Sequence, residues 1–324
     1  MSNIDGLIAA YILDGKGGGR SIGWNEINDW SEDDGILWVH LNYTDAVSES
    51  WLKEKSGLDE LVVTALTNED PRPRSSVMNN GLLVMLRGVN LNPGEDPEDM
   101  VSIRCWIDSK RIISTRRRKL LSVTDLSKAI ANGSGPTTTG EFLVDLSSRI
   151  VERMADVVDG IADKADLLEE QVLTVQSHIL RPKISGLRRE AISLRRYLAP
   201  QREAMSRLYN ERVPWLSDLE RMKLREVADS TTRYIEELDA SRERAIVIQE
   251  ELISQISEQM DKRMYVLSMV AAIFLPLGFL TGLLGINVGG IPGAEYKGSF
   301  YIFCGILILV SVMQIYIFKK LKWM

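Results

Sequence analysis

Two uncharged apolar runs near the C-terminus restrict what this chain can fold into more than any other feature. Met264–Ile286 contains 23 residues without a charge, and Phe300–Phe318 contains 19. As a helix the first run is about 34 Å long at 1.5 Å per residue, enough to cross a hydrocarbon layer of about 30 Å, and the second is close to that length. Tyrosines near the ends suit the headgroup level. The expectation is a hairpin of two membrane spans rather than a pair of buried core helices. Asp261-Lys262-Arg263 precedes the first span, Lys319 and Lys320 follow the second, and the loop between them carries Glu295 and Lys297. The positive-inside bias then keeps both termini in the cytoplasm. The N-terminus has no basic segment leading into a long apolar core, so no signal peptide is expected.

The remainder has room for roughly two further regions. Residues 1–135 alternate β-rich runs with polar breaks. Leu7–Leu13, Ile36–Asn42, Leu82–Leu91, Met100–Asp108 and Arg111–Arg116 are the strand candidates, the last three in an antiparallel meander. Helical spacing follows Asp45 and Asp59, with Asp59 as an N-cap and Pro71 as a stop. Asp14–Arg20 is glycine-rich but lacks phosphate-loop spacing, and predicts a hairpin loop. Ala131–Gly140 has linker composition. Residues 136–263 show charged and apolar residues at helical spacing, punctuated by Pro182, Pro200 and Pro214, which predicts about three long helices. The fold class is an α+β multi-region membrane protein: an α/β domain, a long-helix stalk over 136–263, spans at 264–286 and 300–318, an outer loop at 287–299 and a basic tail at 319–324. In the last stalk helix, Tyr234, Leu238, Ser241, Ala245, Ile248, Leu252, Gln255 and Gln259 follow heptad spacing. Either several copies assemble along this seam or the helix packs within one chain.

A lone hairpin cannot enclose a hydrophilic route, but copies of it can. Asp261, Met264, Leu267, Ala271, Leu275, Gly278, Gly282 and Gly285 recur every three or four residues and share one helix face. The stripe is polar at its inner end, bulky at Met264 and Leu267, and small beyond. A narrow apolar neck gates by expelling water. The small residues also suit close helix packing in lipid. The run ends in Gly285-Ile286-Asn287. In a symmetric oligomer the Asn287 amides would ring an outer mouth with neutral oxygens; in isolation the tripeptide is an ordinary helix C-terminus.

This tripeptide, its place at the end of the first span and its flanks, Phe274–Gly293, resemble the CorA family of divalent-cation transporters, and the isoleucine version resembles its zinc-transporting ZntB branch. Phe318–Met324 is similar to that family's basic tail. The resemblance implies a homopentameric funnel in a bacterial inner membrane with the first span lining the pore. It implies Gly285, Ile286 and Asn287 as the outer mouth, Met264 and Leu267 as the hydrophobic gate, Leu275 as a further narrowing and Asp261 as a polar ring beneath. Gly278 stands where some magnesium-selective relatives have threonine, so a hydroxyl ring is absent. The implied activity is zinc uptake coupled to protons, a symport; efflux, or a Mg/Co/Ni-type channel, is the alternative within the family. No cofactor is expected, the zinc ion being cargo.

The residues alone say little about zinc. Dehydrated Zn²⁺ favours Cys, His and carboxylate, and the first span has none, so an ion would cross largely hydrated. Coupling to protons would need water or acids below the span, such as Asp261, Glu250 and Glu258. The net charge of −6 argues against nucleic-acid affinity and suits collecting cations. Cys105 and His178 stand alone, which favours core or surface placement over metal binding. Lys110–Lys119 reads as a solvated strand end, and the acids Asp163, Asp166, Glu169 and Glu170 as a solvated helix face. A membrane-anchored scaffold or metal sensor is the competing class; an enzyme would need a catalytic constellation that the sequence lacks.

Overall fold

The computed structural model describes residues 6–285 apart from 79, 173, 175 and 176, together with 293 and 296–320. It divides into two compact units, residues 1–249 and 250–324.

The first unit is built on a seven-stranded sheet. β1 (Leu7–Leu13), β2 (Gly19–Ser21), β3 (Ile36–Asn42), β4 (Arg74–Met78), β5 (Gly81–Gly88), β6 (Val101–Ile107) and β7 (Arg111–Arg116) are ordered β2-β1-β3-β7-β6-β5-β4. β3 and β7 run parallel, and every other neighbouring pair is antiparallel. The expected β5-β6-β7 meander is present. The glycine-rich stretch is the β1–β2 turn: Asp14 accepts from the Lys16 and Gly18 amides at 2.7 and 2.9 Å, and Gly15 and Gly17 sit at positive φ. Those amide bonds hold the Asp14 carboxyl below its usual range.

Both sheet faces are covered, so β3 and β5 read as nearly continuous apolar runs. Leu37, Val39, Leu41, Met85, Trp106 and Ile113 pack against α1 (Trp24–Asp29), α2 (Ala46–Glu54) and α3 (Glu60–Leu66) through Ile27, Trp51, Leu52, Val63 and Leu66. Asp45 and Asp59 cap α2 and α3, accepting from Val47 and Leu61 amides at 2.9 and 2.8 Å. α3 ends at Leu66, before Pro71 is reached. On the other face Trp38 meets Phe142 edge-on at 5.0 Å. That side carries α4 (Leu121–Ala131) and α5 (Thr139–Gln171).

Three long helices follow, but their breaks differ from those expected. α5 ends at Gln171, α6 spans Ser177–Asn210 and α7 spans Asp218–Leu284. Pro182 and Pro200 lie inside α6 and Pro276 inside α7. A proline costs a helix interior about 3 kcal/mol. Around Pro200 that cost is offset by packing: Leu194, Leu198, Gln201 and Ala204 are buried, the Arg87 amide donates to Gln201 Oε1 at 2.7 Å, and Ser75 Oγ donates to the Ala204 carbonyl at 2.9 Å. These contacts also join α6 to the sheet, so the sheet and the helical hairpin share one unit. Glu220 ties the start of α7 to the start of α5. Its carboxylate accepts from Thr138 Oγ1 at 2.6 Å and from Ser217 N and Oγ at 2.6 and 2.7 Å. Leu238, Ser241, Ala245 and Ile248 of the heptad seam are buried. Packing within one chain therefore accounts for that part of the seam.

The second unit holds the distal part of α7 and α8 (Ser299–Lys320). Each contains a window apolar and long enough to cross a membrane, with none of that window buried.

Candidate functional site

The stripe expected along the first span lies on one continuous helix. Asp261, Met264, Leu267, Ala271, Leu275, Gly278 and Gly282 are all exposed on α7, and Gly285 follows directly after its last residue. Met264, Leu267 and Leu275 are 59, 65 and 71% exposed, unusual for large apolar side chains unless lipid or another copy covers them. Ile286 and Asn287, two of the three residues expected at the outer mouth, lie outside the described residues, as does Glu295.

The half-buried residues of the same stretch define a second face. Met269, Ala272, Ile273, Leu277 and Leu280 are intermediate in burial. At about 100° per residue, they centre roughly opposite the stripe from Met264 to Gly282. α8 repeats the pattern with half-buried Phe303, Leu307, Val310 and Gln314. Near the outer end, Thr281, Leu284 and Gly285 line a cavity of about 730 Å³ with Tyr296, Phe300 and Phe303. The hairpin thus uses one face of α7 internally and leaves the stripe free.

Glycine placement distinguishes two causes. A Cβ built on Gly278 or Gly282 meets no atom within 4 Å, so nothing among the described residues requires glycine there. A Cβ on Gly285 falls 2.7 Å from the Thr281 carbonyl oxygen, which also accepts the Gly285 amide at 2.9 Å. Gly285 is fixed locally; no contact among the described residues fixes Gly278 or Gly282.

Below the span, Glu250, Glu258 and Asp261 are exposed. Glu258 pairs with Lys262 at 2.7 Å, and that hydrogen bond holds its carboxyl below the usual range. Among the described residues no group of three or more His, Cys, Asp or Glu side chains could hold a metal ion. Cys105 is fully buried in β6, and burial pushes its thiol up to about 12. His178 is exposed on α6, far along the chain from it. Lys110–Lys119 contains β7, and Arg118 pairs with Asp99 rather than standing free. Asp163, Glu169 and Glu170 are exposed, as expected, while Asp166 pairs with Arg244.

Sequence reasoning passed over Gln314. Its Oε1 is buried on α8 without a hydrogen-bond partner, a polar amide inside an apolar span whose signal was its composition alone.

Residues 33–320 match the family model described as CorA-like Mg2+ transporter protein. The chain is 40% identical over 329 residues to the divalent cation transporter CmaX of Pseudomonas aeruginosa, covering 98% of this chain and 97% of that protein. It is 37% identical over 319 residues to the zinc transport protein ZntB of Pectobacterium atrosepticum, covering 98 and 96%. The full-length CmaX structure superposes with a TM-score of 0.85 over the whole of both chains, at 39% identity. The complete CorA magnesium transporter from Methanocaldococcus jannaschii shares the fold, with a TM-score of 0.84 over both whole chains at 17% identity.

Proposed function

The chain belongs to the CorA-like family of Mg2+ transporter proteins, and from that premise we propose that it moves divalent cations, zinc foremost, across a bacterial inner membrane. The observation that carries the reading is the free stripe of α7. Its residues lie roughly opposite the face α7 buries within its own hairpin, so several copies can bring their stripes around one path. Five copies, as the family resemblance implies, would set Met264 and Leu267 as an apolar neck, Leu275 as a second narrowing and Asp261 as a charged ring below. Gly285, Ile286 and Asn287 would form the mouth.

The chemistry of such a path is that of a hydrated ion. From Met264 to Gly285 the route offers no carboxylate, imidazole or thiolate to replace bound water. The neck would open and close by wetting, and selection would rest on charge and hydrated size. The relatives' names support zinc in one case and divalent cations generally in the other. Entry driven by a proton gradient is the preferred direction. Its protons would travel through water and through Asp261, Glu250 or Glu258, because proton relays need a titratable group or a water chain. Both termini would then face the cytoplasm.

Reconstitution tests this. The full chain goes into liposomes holding a zinc-sensitive dye, with the ion and the pH gradient varied separately. Flux that rises with an inward proton gradient, and is impaired in Asn287→Ala, supports the reading. A scaffold or sensor passes no ion and is indifferent to that substitution.

A further inference from the structure

α5 and α6 form a helical hairpin whose arms carry opposite charge. α5 has nine carboxylates and three bases, net −6, whereas α6 has eight bases and two carboxylates, net +6. Arms charged in this way could zip together. Instead, the α5–α6 ion pair among the described residues is Lys164–Glu190 at 2.6 Å, in which the acidic arm supplies the base. The remaining charges point elsewhere.

They form two stripes. Glu152, Asp156, Asp159 and Asp163 follow 4-3-4 spacing on α5, and all four are exposed. Arg181, Arg188, Arg195 and Arg202 recur every seventh residue on α6, with Arg189 beside them. Arg195 pairs with Asp239 of α7 at 2.6 Å. The other residues of both stripes have no ion pair among the described residues.

Each stripe borders α7 within the first unit. Asp166, seven residues beyond Asp159, pairs with Arg244 of α7, and Glu152 shares a groove with Lys223, Glu226 and Tyr234. On the other arm the Arg195–Asp239 pair does the same. One edge of α7 is therefore acidic and the other basic. Their heights also agree. Equal steps along the antiparallel arms from Lys164–Glu190 put Asp159 level with Arg195, Asp166 with Arg188 and Glu152 with Arg202. A rotation about an axis along the hairpin would bring the acidic edge of one copy to the basic edge of the next without sliding. Unlike edges that meet in this way make a head-to-tail contact, which closes into a ring when the rotation allows.

We propose that a second copy of this chain covers each stripe, the α5 edge of one copy docking on the α6 edge of its neighbour. The contact deepens the multi-copy reading above and rests on it. It is polar and exposed at its rim, so it sets neighbour and register, and it weakens as salt screens it; the Debye length falls from about 10 Å at 0.1 M to about 3 Å at 1 M.

Bifunctional thiol cross-linking of the full chain in lipid nanodiscs tests it, with Cys304→Ala as background. Asp159→Cys/Ile192→Cys places one thiol on each edge, and Ile192 is exposed. The expected result is a ladder of multiples of the monomer from the double variant and no dimer from either single variant. The ladder fades at about 1 M salt and when Glu152→Arg is added to the double variant. It returns when Arg202→Glu, level with residue 152, is added as well. A double variant that carries ions in the flux assay yet gives no ladder overturns this contact alone. Dimers from a single-cysteine variant overturn it too, because they require like edges to meet. Loss of flux with an intact ladder leaves the contact standing and overturns the transport reading instead.

Discussion

The His40 imidazole gives a stability prediction whose size follows from its surroundings. It is fully buried on β3, with Nδ1 2.8 Å from Ser114 Oγ and Nε2 without a partner. Burial, then the Arg116 charge, lowers its pKa from 6.5 to about 3. In the unfolded chain the imidazole takes up a proton as pH falls below 6.5, while in the folded chain it stays neutral until about 3. The unfolded state therefore binds more protons in that window, and stability falls with pH at about 1.4 kcal/mol per unit. Between pH 6.5 and pH 5 the loss is about 2 kcal/mol, worth about 4–8 °C in Tm for a unit of this size. His40→Gln removes the titrating group. Thermal unfolding of the full chain in detergent, followed by tryptophan fluorescence from pH 7.5 to 5, should show the wild-type Tm falling more steeply than the variant's by that amount. Trp38 lies 6.2 Å from the imidazole and reports on the site. Equal slopes in the two proteins would refute the buried, neutral imidazole.

Gly278→Leu and Gly282→Leu should leave folding and oligomer mass intact, because an added Cβ meets open space in the chain, yet abolish ion flux by filling the path; normal flux would remove these positions from the route. Met264→Ser/Leu267→Ser should raise resting leak several-fold in liposomes, since a polar neck no longer dewets; unchanged leak would place the gate elsewhere. Gly140→Ala sets a Cβ 2.4 Å from the Glu220 carboxylate. It should cost about 1–3 kcal/mol by denaturant unfolding; a neutral result would mean Glu220 does not hold the two helix starts together.

The strands β1, β3 and β7 were legible residue for residue, since Leu7–Leu13, Ile36–Asn42 and Arg111–Arg116 are β-rich and bounded by polar turns. β4 was not. Its sequence, Arg-Ser-Ser-Val-Met, carries little strand signal and is made a strand by pairing with β5. The prolines misled for the same reason: local propensity favours a break at Pro182 and Pro200, and tertiary packing overrides it. The Glu220 bracket was invisible because its partner Thr138 lies 82 residues away. The stripe on α7 was legible because periodicity alone puts those residues on one face. That they oppose the hairpin's internal face required the burial of Ile273 and Leu277 to be seen.

The central claim is that the stripe of α7 lines a wet path while the opposite face does not. Single cysteines at each position from Met264 to Gly282, in the Cys304→Ala background, measure this directly when a water-soluble thiol reagent is added and zinc flux recorded. The account predicts block at 264, 267, 271, 275, 278 and 282 and none at 269, 273, 277 and 280. Uniform block, or block confined to the second set, would contradict it.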